Sequence, residues 1–462
     1  MSREEAFQAL RDGDFRIAIP LLEHAIREAG FSSDAINQAY TQALFRAGEK
    51  TRLANAAFEI ADSFVETDPA VAMDYFQRAF LGDLDAACIR HVGEIFEQWA
   101  APKKKSAGRR GKLTKVAHVV GCVNGDHAPA RHVLLLSRSL RRHGVDSRIF
   151  TTEWAASWFL NSEGVALSQP AESRDDVVIG PVRGNFLERA ESIATSIRAW
   201  GAQAVFYHAG LSEQITARVA AFRPAPIQVN VVHDVEMDPA LFDGYIFLRR
   251  QRLASSRHAS EVADCIPPSS DIADRLSTLP ENLRQLMALD AAETVSATLG
   301  NLESASDPGF LDMLTSVLTA FPAHFHLFAG SGDVKTIRAH LHAEGVLARV
   351  RFMGSMSESA SVMALSDLYL APFDDADAEG ALVEAMGAGK PPVVLGKNDG
   401  DLLGIPKLVA RNEIDYRQVV QRLVSQPSER KRYSEKVLSR FREELAPEFL
   451  GPRYMEFLTR CR

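Results

Sequence analysis

Cysteine is scarce in this chain. Only Cys88, Cys122, Cys265 and Cys461 occur in 462 residues, and they form no CxxC and no Cys/His cluster. A zinc site is therefore not expected, and a reduced, cytoplasmic setting is. Long apolar runs are also missing. None reaches the roughly 18 residues of a membrane-spanning helix, so no span is expected. The opening MSREEAFQALRDGDF is charged and amphipathic, without the apolar core of an export signal, so no export is expected either. An excess of basic charge is absent: the net charge is −8, which disfavours nucleic acid as a partner.

What the chain has is apolar content, at 46% of residues. At about 100–200 residues per domain, its length predicts about three domains. Residues 1–100 carry helical patterns and no strand run. AFQALRDGDFRIAIPLLEHAI, QALFRAGEKTRLANAAFEIA and FQRAFLGDLDAACIRHVGEIF each read as helix, glycine turn, helix, and Gly13, Gly48 and Gly82 are 35 and 34 residues apart. That period resembles the tetratricopeptide repeat, whose helix pairs stack to bury their faces and leave a concave groove. The plainer alternative is a helical bundle that packs on the next domain or on a second subunit. A homo-oligomer or a partner protein could dock here.

Residues 101–114, APKKKSAGRRGKLT, are rich in Lys and Arg and lack apolar periodicity, as expected of a solvated basic linker. Strand and helix then alternate. VAHVVGCV, VDSRIFTT, AQAVFYH, APIQVNVVH and FDGYIFL are the strand candidates of a first Rossmann-like unit over 115–285. VSATLGNL, HFHLFAGSG, RVRFMG, DLYLAPF and PPVVL repeat the scheme over 286–440, and a helical tail follows over 441–462. The expected fold class is α/β, with two doubly wound units facing across a cleft and an all-α domain in front.

In an open parallel sheet, ligands bind beyond the carboxyl ends of the strands. The second unit places GNLESASDP, AGSGD, MGSMSES and PFDDADAEG there. The last of these carries Asp374, Asp375, Asp377 and Glu379 and leads into a helix opened by Glu379, Gly380 and Ala381. Glu384 lies about one turn further in. Phosphate suits the free N–H groups of such a helix start, and a carboxylate one turn deeper can accept from a vicinal diol such as a ribose. The plain alternative is a surface glutamate behind a solvated N-capping loop. Asp375-x-Asp377 has the spacing of a short divalent-metal motif, too brief to carry a metal assignment.

The stretch from HFHLFAGSGD through RVRFMG to AEGALVEAMGAGKPPVV resembles the donor half of GT-B nucleotide-sugar glycosyltransferases. RHVLLLSRSLRRHGVDSRIFTT resembles the start of their acceptor half. RPAPIQVNVVHD is similar to a strand of the O-GlcNAc-transferase family and its bacterial protein-glycosylating relatives, which also carry helical N-terminal domains. The resemblance covers about residues 115–440. It implies a metal-independent glycosyltransferase that takes a sugar from a nucleoside diphosphate, with UDP expected and no other cofactor. The expected acceptor is a protein side chain. A glycan or lipid-linked acceptor, and an inactive scaffold on the same fold, stay open.

The resemblance also implies residue roles. Glu384 would bind the ribose. The N–H groups of Gly380, Ala381 and Leu382, at the helix opened by Glu379, would hold the diphosphate. Phe352, Met353 and Gly354 would line the base through their main chain. Loops around Asn301, Ser304 and Gly330 would close over the phosphates. His127 with Asp126, in GCVNGDHAPARH, would serve the acceptor, since His suits base chemistry near neutral pH. His132, His233 and Asp234 are further cleft-edge candidates; the plain alternatives are that Asp126 caps the next helix with His127 and His132 solvated or lying along it, and that His233 and Asp234 form a turn and a helix cap. Two departures stand out. Ala376 occupies the place of a second glutamate found in many retaining relatives. GNLESASDP has no Arg or Lys to meet the leaving diphosphate, a charge whose stabilisation is usually a large catalytic term. Lys335, Lys390 and Lys397 are the candidate substitutes, with Lys390, in GKP, equally placed to cap a helix end.

Overall fold

The computed structural model describes residues 3–80, 82, 84, 86–99, 112–121, 123, 128–151, 177–180, 186–208, 214–233, 241–256, 262–332, 334–354, 359–373 and 379–461. The linker 101–111, the catalytic candidates Asp126 and His127, and the acidic residues 374–378 lie outside them, as does Asp234.

The first part of the chain is three helix pairs: α1 (Arg3–Arg11) with α2 (Phe15–Ala29), α3 (Asp34–Arg46) with α4 (Lys50–Phe64), and α5 (Pro69–Ala79) with α6 (Ala86–Trp99). Each expected glycine falls between the two helices of a pair. Gly13 and Gly48 turn the chain with φ of +76° and +74°, a conformation that costs a side-chain-bearing residue. Gly82 serves differently. A Cβ there would lie 2.3 Å from the Lys50 carbonyl oxygen, so its value is the close approach of the third pair to α4.

The first sheet contains β1 (Lys115–Val120), β2 (Asp146–Thr151), β3 (Val177–Ile179), β4 (Ala204–Tyr207), β5 (Ile227–Val232), β6 (Gly244–Phe247) and β7 (Ala263–Cys265). All pairings are parallel, in the order β3-β2-β1-β4-β5-β6-β7. The β1 strand stops at Val120, short of the VAHVVGCV run read from sequence. Its helices are α7 (Ala128–Arg142), α8 (Phe186–Trp200), α9 (Gln214–Ala221) and α10 (Arg250–Ser255). Met73 of α5 is fully buried in a core with Ile193 and Ile197 of α8, so the helical part is anchored on this unit by apolar packing.

The second sheet contains β8 (Thr294–Asn301), β9 (His324–Ser331), β10 (Val350–Phe352), β11 (Leu368–Leu370), β12 (Pro392–Leu395) and β13 (Val409–Ala410). It is also parallel, in the order β10-β9-β8-β11-β12-β13. Around it lie α11 (Ile272–Leu276), α12 (Leu283–Leu286), α13 (Pro308–Ala320), α14 (Val334–Ala343), α15 (Ser359–Leu365), α16 (Glu379–Gly387), α17 (Lys397–Leu403), α18 (Glu413–Ser425) and α19 (Pro427–Arg440). Strands buried on both faces explain the unbroken apolar runs of the sequence. The central order 9-8-11 reverses direction at β8, which puts the switch-point crevice at the carboxyl ends of β8 and β11.

The chain then crosses back. Phe441 and Leu445 still belong to the second core, whereas α20 (Leu450–Arg460) buries Leu450, Tyr454, Phe457 and Leu458 in the first. No helix among the described residues is long and apolar enough to cross a membrane.

Candidate functional site

The site is built around the start of α16. After β11, Phe373 packs edge-on against Phe310 and Tyr416, with ring centroids 5.5 and 5.1 Å away. The Tyr416 hydroxyl donates to the carbonyls of Ala371 and Val393 at 2.8 and 3.0 Å. The strand ends that launch the acidic loop are thus held rigidly. Helix α16 begins at Glu379, and its first turn has the unpaired N–H groups of any helix start. Ala381 and Leu382 are buried against the sheet, while Gly380 faces open space.

Glu384 is not a surface residue. It is 6% exposed. Its Oε1 accepts from Arg275 Nη2 at 2.6 Å and from Arg131 Nη1 at 3.2 Å. Its Oε2 is buried and has no hydrogen-bond partner. A buried carboxylate oxygen left without a donor costs about 1–3 kcal/mol relative to a satisfied one. The arrangement leaves one carboxylate oxygen able to accept a further hydrogen bond. Arg275 is itself fixed, donating to Ser359 Oγ at 2.8 Å and to Asp271 Oδ1 at 3.1 Å. At the helix start, Glu379 pairs with Arg249 Nε at 2.8 Å, both side chains largely buried. That pair offsets a carboxylate that would otherwise repel an anion from the positive end of α16.

Arg131 belongs to α7 and Arg249 precedes α10, so both reach the second unit from the first. These arginines were not among the sequence-derived candidates. One signal was available. On α7, Arg131 and Arg138 are seven residues apart, and both face the second unit: Arg138 lies 4.0 Å from Asp271. Residues seven apart share one face of a helix.

The other candidates separate. Gly330 and Gly300 are register partners in β9 and β8, and a Cβ on Gly330 would lie 1.8 Å from the Gly300 carbonyl oxygen. Asn301 pairs with Ser331 at the ends of these strands. Ser304 opens a short 3-10 turn, in which the Ser306 hydroxyl donates to the Glu303 carbonyl at 2.6 Å. The Phe352 ring stacks on Phe328, with centroids 5.5 Å apart, and the Arg338 guanidinium lies 4.3 Å from its centroid. The Met353 N–H is taken by the Phe328 carbonyl and the Gly354 carbonyl by the Gly330 N–H at 2.7 Å. Lys390 does not stand at this edge. It precedes β12, at the opposite end of the sheet, where burial pushes its ammonium below the usual lysine value and Asp367 opposes the shift.

Beneath the carboxyl edge of the first sheet lies a cluster of imidazoles. His118 Nδ1 is 3.0 Å from His208 Nε2, and His132 Nε2 is 2.8 Å from the Tyr454 hydroxyl. The rings of His132 and His208 each lie within 6 Å of that of His233, at 5.8 and 5.9 Å between centroids. His132 is thus buried rather than solvated. Burial pushes its pKa down to about 4 and that of His118 to about 3. No group of three or more His, Cys, Asp or Glu among the described residues is placed to hold a metal ion.

Residues 298–426 match the family described as glycosyl transferases group 1. No curated protein sequence matches the chain. Among solved structures, a mutant of Thermobaculum terrenum O-GlcNAc transferase aligns with TM-score 0.58 and 16% identity, over 99% of this chain and 90% of that one. Anabaena HepE in complex with UDP and glucose aligns with TM-score 0.57 and 14% identity, over 75% and 99%. WaaG, a glycosyltransferase involved in lipopolysaccharide biosynthesis, aligns with TM-score 0.51 and 13% identity, over 74% and 99%. The two facing sheets are those of the GT-B fold.

Proposed function

We propose that this GT-B protein, whose second sheet carries a group 1 glycosyl transferase domain, moves a sugar from UDP to the side chain of a protein. The observation that carries the reading is Glu384, with one oxygen held by two arginines and the other buried without a donor. A ribose diol supplies the missing donors. The diphosphate then falls at the start of α16, where the N–H groups of Gly380, Ala381 and Leu382 meet it. The base lies along the main chain of Phe352 and Met353, and the ends of β8 and β9 at Asn301, Ser304 and Gly330 flank the phosphates.

In the reaction, the bond between the sugar C1 and the diphosphate oxygen breaks, and its electrons stay on the diphosphate. The acceptor oxygen or nitrogen bonds to C1 and gives up its proton. His127, with Asp126, is assigned to the acceptor side. The HepE complex with UDP and glucose and the O-GlcNAc transferase alignment favour a UDP-sugar donor. The alignment to the latter over nearly the whole chain, helical part included, favours a protein acceptor. The three helix pairs, read as tetratricopeptide-like repeats, would present that acceptor or a second copy of the chain, in the cytoplasm.

One observation favours an inactive scaffold. The loop after β8 offers no cation of its own, and the nearest lysine partner of its Glu303, Lys50 at 3.7 Å, comes from the helical part. Turnover separates the two readings. The protein is incubated with UDP-glucose or UDP-N-acetylglucosamine and a library of Ser-, Thr- and Asn-containing peptides. The proposal expects UDP release and a peptide mass increment of one sugar. UDP binding without release would establish the scaffold.

A further inference from the structure

The loop that should face the leaving group has no Arg or Lys, yet the site is not short of cations. Resting on the donor reading above, we infer that Arg131, reaching over from the first sheet unit, is the residue that meets the leaving diphosphate, and that Arg275 only positions Glu384.

The two guanidiniums on Glu384 are not equivalent. Arg275 has three of its donors engaged: Nε on Asp271, Nη1 on Ser359 and Nη2 on Glu384. Its geometry is set, and its service to Glu384 is orientation. Arg131 has a single polar contact among the described residues, one Nη1 bond at 3.2 Å. A guanidinium carries five N–H donors in a planar fork that matches phosphate. Most of that fork is uncommitted, and the side chain is 24% exposed on the cleft side of α7.

Three features fit an anion arriving beside it. The start of α16 offers N–H groups and the positive end of the helix dipole. Arg249 offsets the Glu379 carboxylate there. The cation itself comes from the opposite unit, so it reaches the leaving group only while the two units are closed on each other. That ties bond breaking to the closed cleft, where water is excluded.

The test uses full-length protein and two ligands, UDP and uridine, titrated against wild type, Arg131→Gln, Arg131→Lys and Arg275→Gln, with thermal unfolding as a check on folding. The expected result is that Arg131→Gln weakens UDP by about tenfold or more while uridine is unchanged. Arg131→Lys should recover part of that loss, and Arg275→Gln should weaken both ligands. Equal weakening of UDP and uridine in Arg131→Gln would overturn the inference and make Arg131 a second positioning residue. Unchanged UDP affinity in Arg131→Gln would overturn it too, leaving the ion pair as a strut between units. If wild type bound neither ligand, the donor reading itself would fall, and this inference with it.

Discussion

Nδ1 of His118 lies 3.0 Å from Nε2 of His208 in the interior of the first sheet. Two neutral imidazoles make this contact because one nitrogen donates and the other accepts. Two protonated rings would present two donors and repel. Burial holds His118 and His132 far below the ordinary histidine value, and it does the same for His324, at about 4, in the second sheet. His208 and His326 are shifted in the same direction.

The consequence is acid sensitivity in a window set by histidine. The unfolded chain takes up protons below about pH 6.5, and the folded chain does not until far lower. The unfolded state therefore binds more protons, and stability falls as pH drops from about 6.5 towards 4. The slope from each such histidine grows below pH 6.5 and approaches about 1.4 kcal/mol per pH unit as its unfolded-state imidazole becomes fully protonated. Urea midpoints measured from pH 7.5 to 5 should fall steadily below 6.5. A flat profile down to pH 5 would contradict neutral burial of the cluster.

Gly330 and Gly300 hold β8 and β9 in register to the edge of the cleft. With φ of +143° and a Cβ position 1.8 Å from a backbone oxygen, Gly330 admits no side chain without parting the strands. Gly330→Ala should cost about 3 kcal/mol or more and weaken UDP together with stability. Calorimetric unfolding checks the first and titration the second. A variant with wild-type stability would show that the strand ends yield freely.

The last helix is an anchor for the first unit. Phe457 of α20 is fully buried beside Gly244 of β6. Phe457→Ala should destabilise the protein by about 3–5 kcal/mol. The loss should appear in the first sheet unit, read as faster amide exchange in β4–β6 than in β8–β11. Equal loosening of both sheets would show that the two units unfold as one.

Much of this architecture was legible because parallel strands buried on both faces write themselves as apolar runs between amphipathic helices. The start of α16 at Glu379 and the inward place of Glu384 follow from such a pattern. The environment of Glu384 does not. Arg131 is 253 residues away in sequence and Arg275 is 109. Periodicity describes one element at a time and is silent on which distant element faces it. The same limit hid the imidazole cluster. His118, His132, His208 and His233 come from β1, α7 and the ends of β4 and β5, and only the sheet order brings them together. Lys390 shows the converse: of its two readings, a cation for the site or a helix cap, the second holds, since its N–H donates to the Ala385 carbonyl at 2.8 Å before β12 begins.

The most direct test of the account is titration calorimetry of UDP, with GDP, CMP and dTDP as controls, into wild type and Glu384→Ala. The account predicts micromolar UDP binding, weaker binding of the other nucleotides, and loss of UDP binding by about tenfold or more in a folded Glu384→Ala protein. Binding of UDP unaltered by that substitution would contradict the placement of the ribose at Glu384. No binding to any of the four by folded wild type would contradict the donor site altogether.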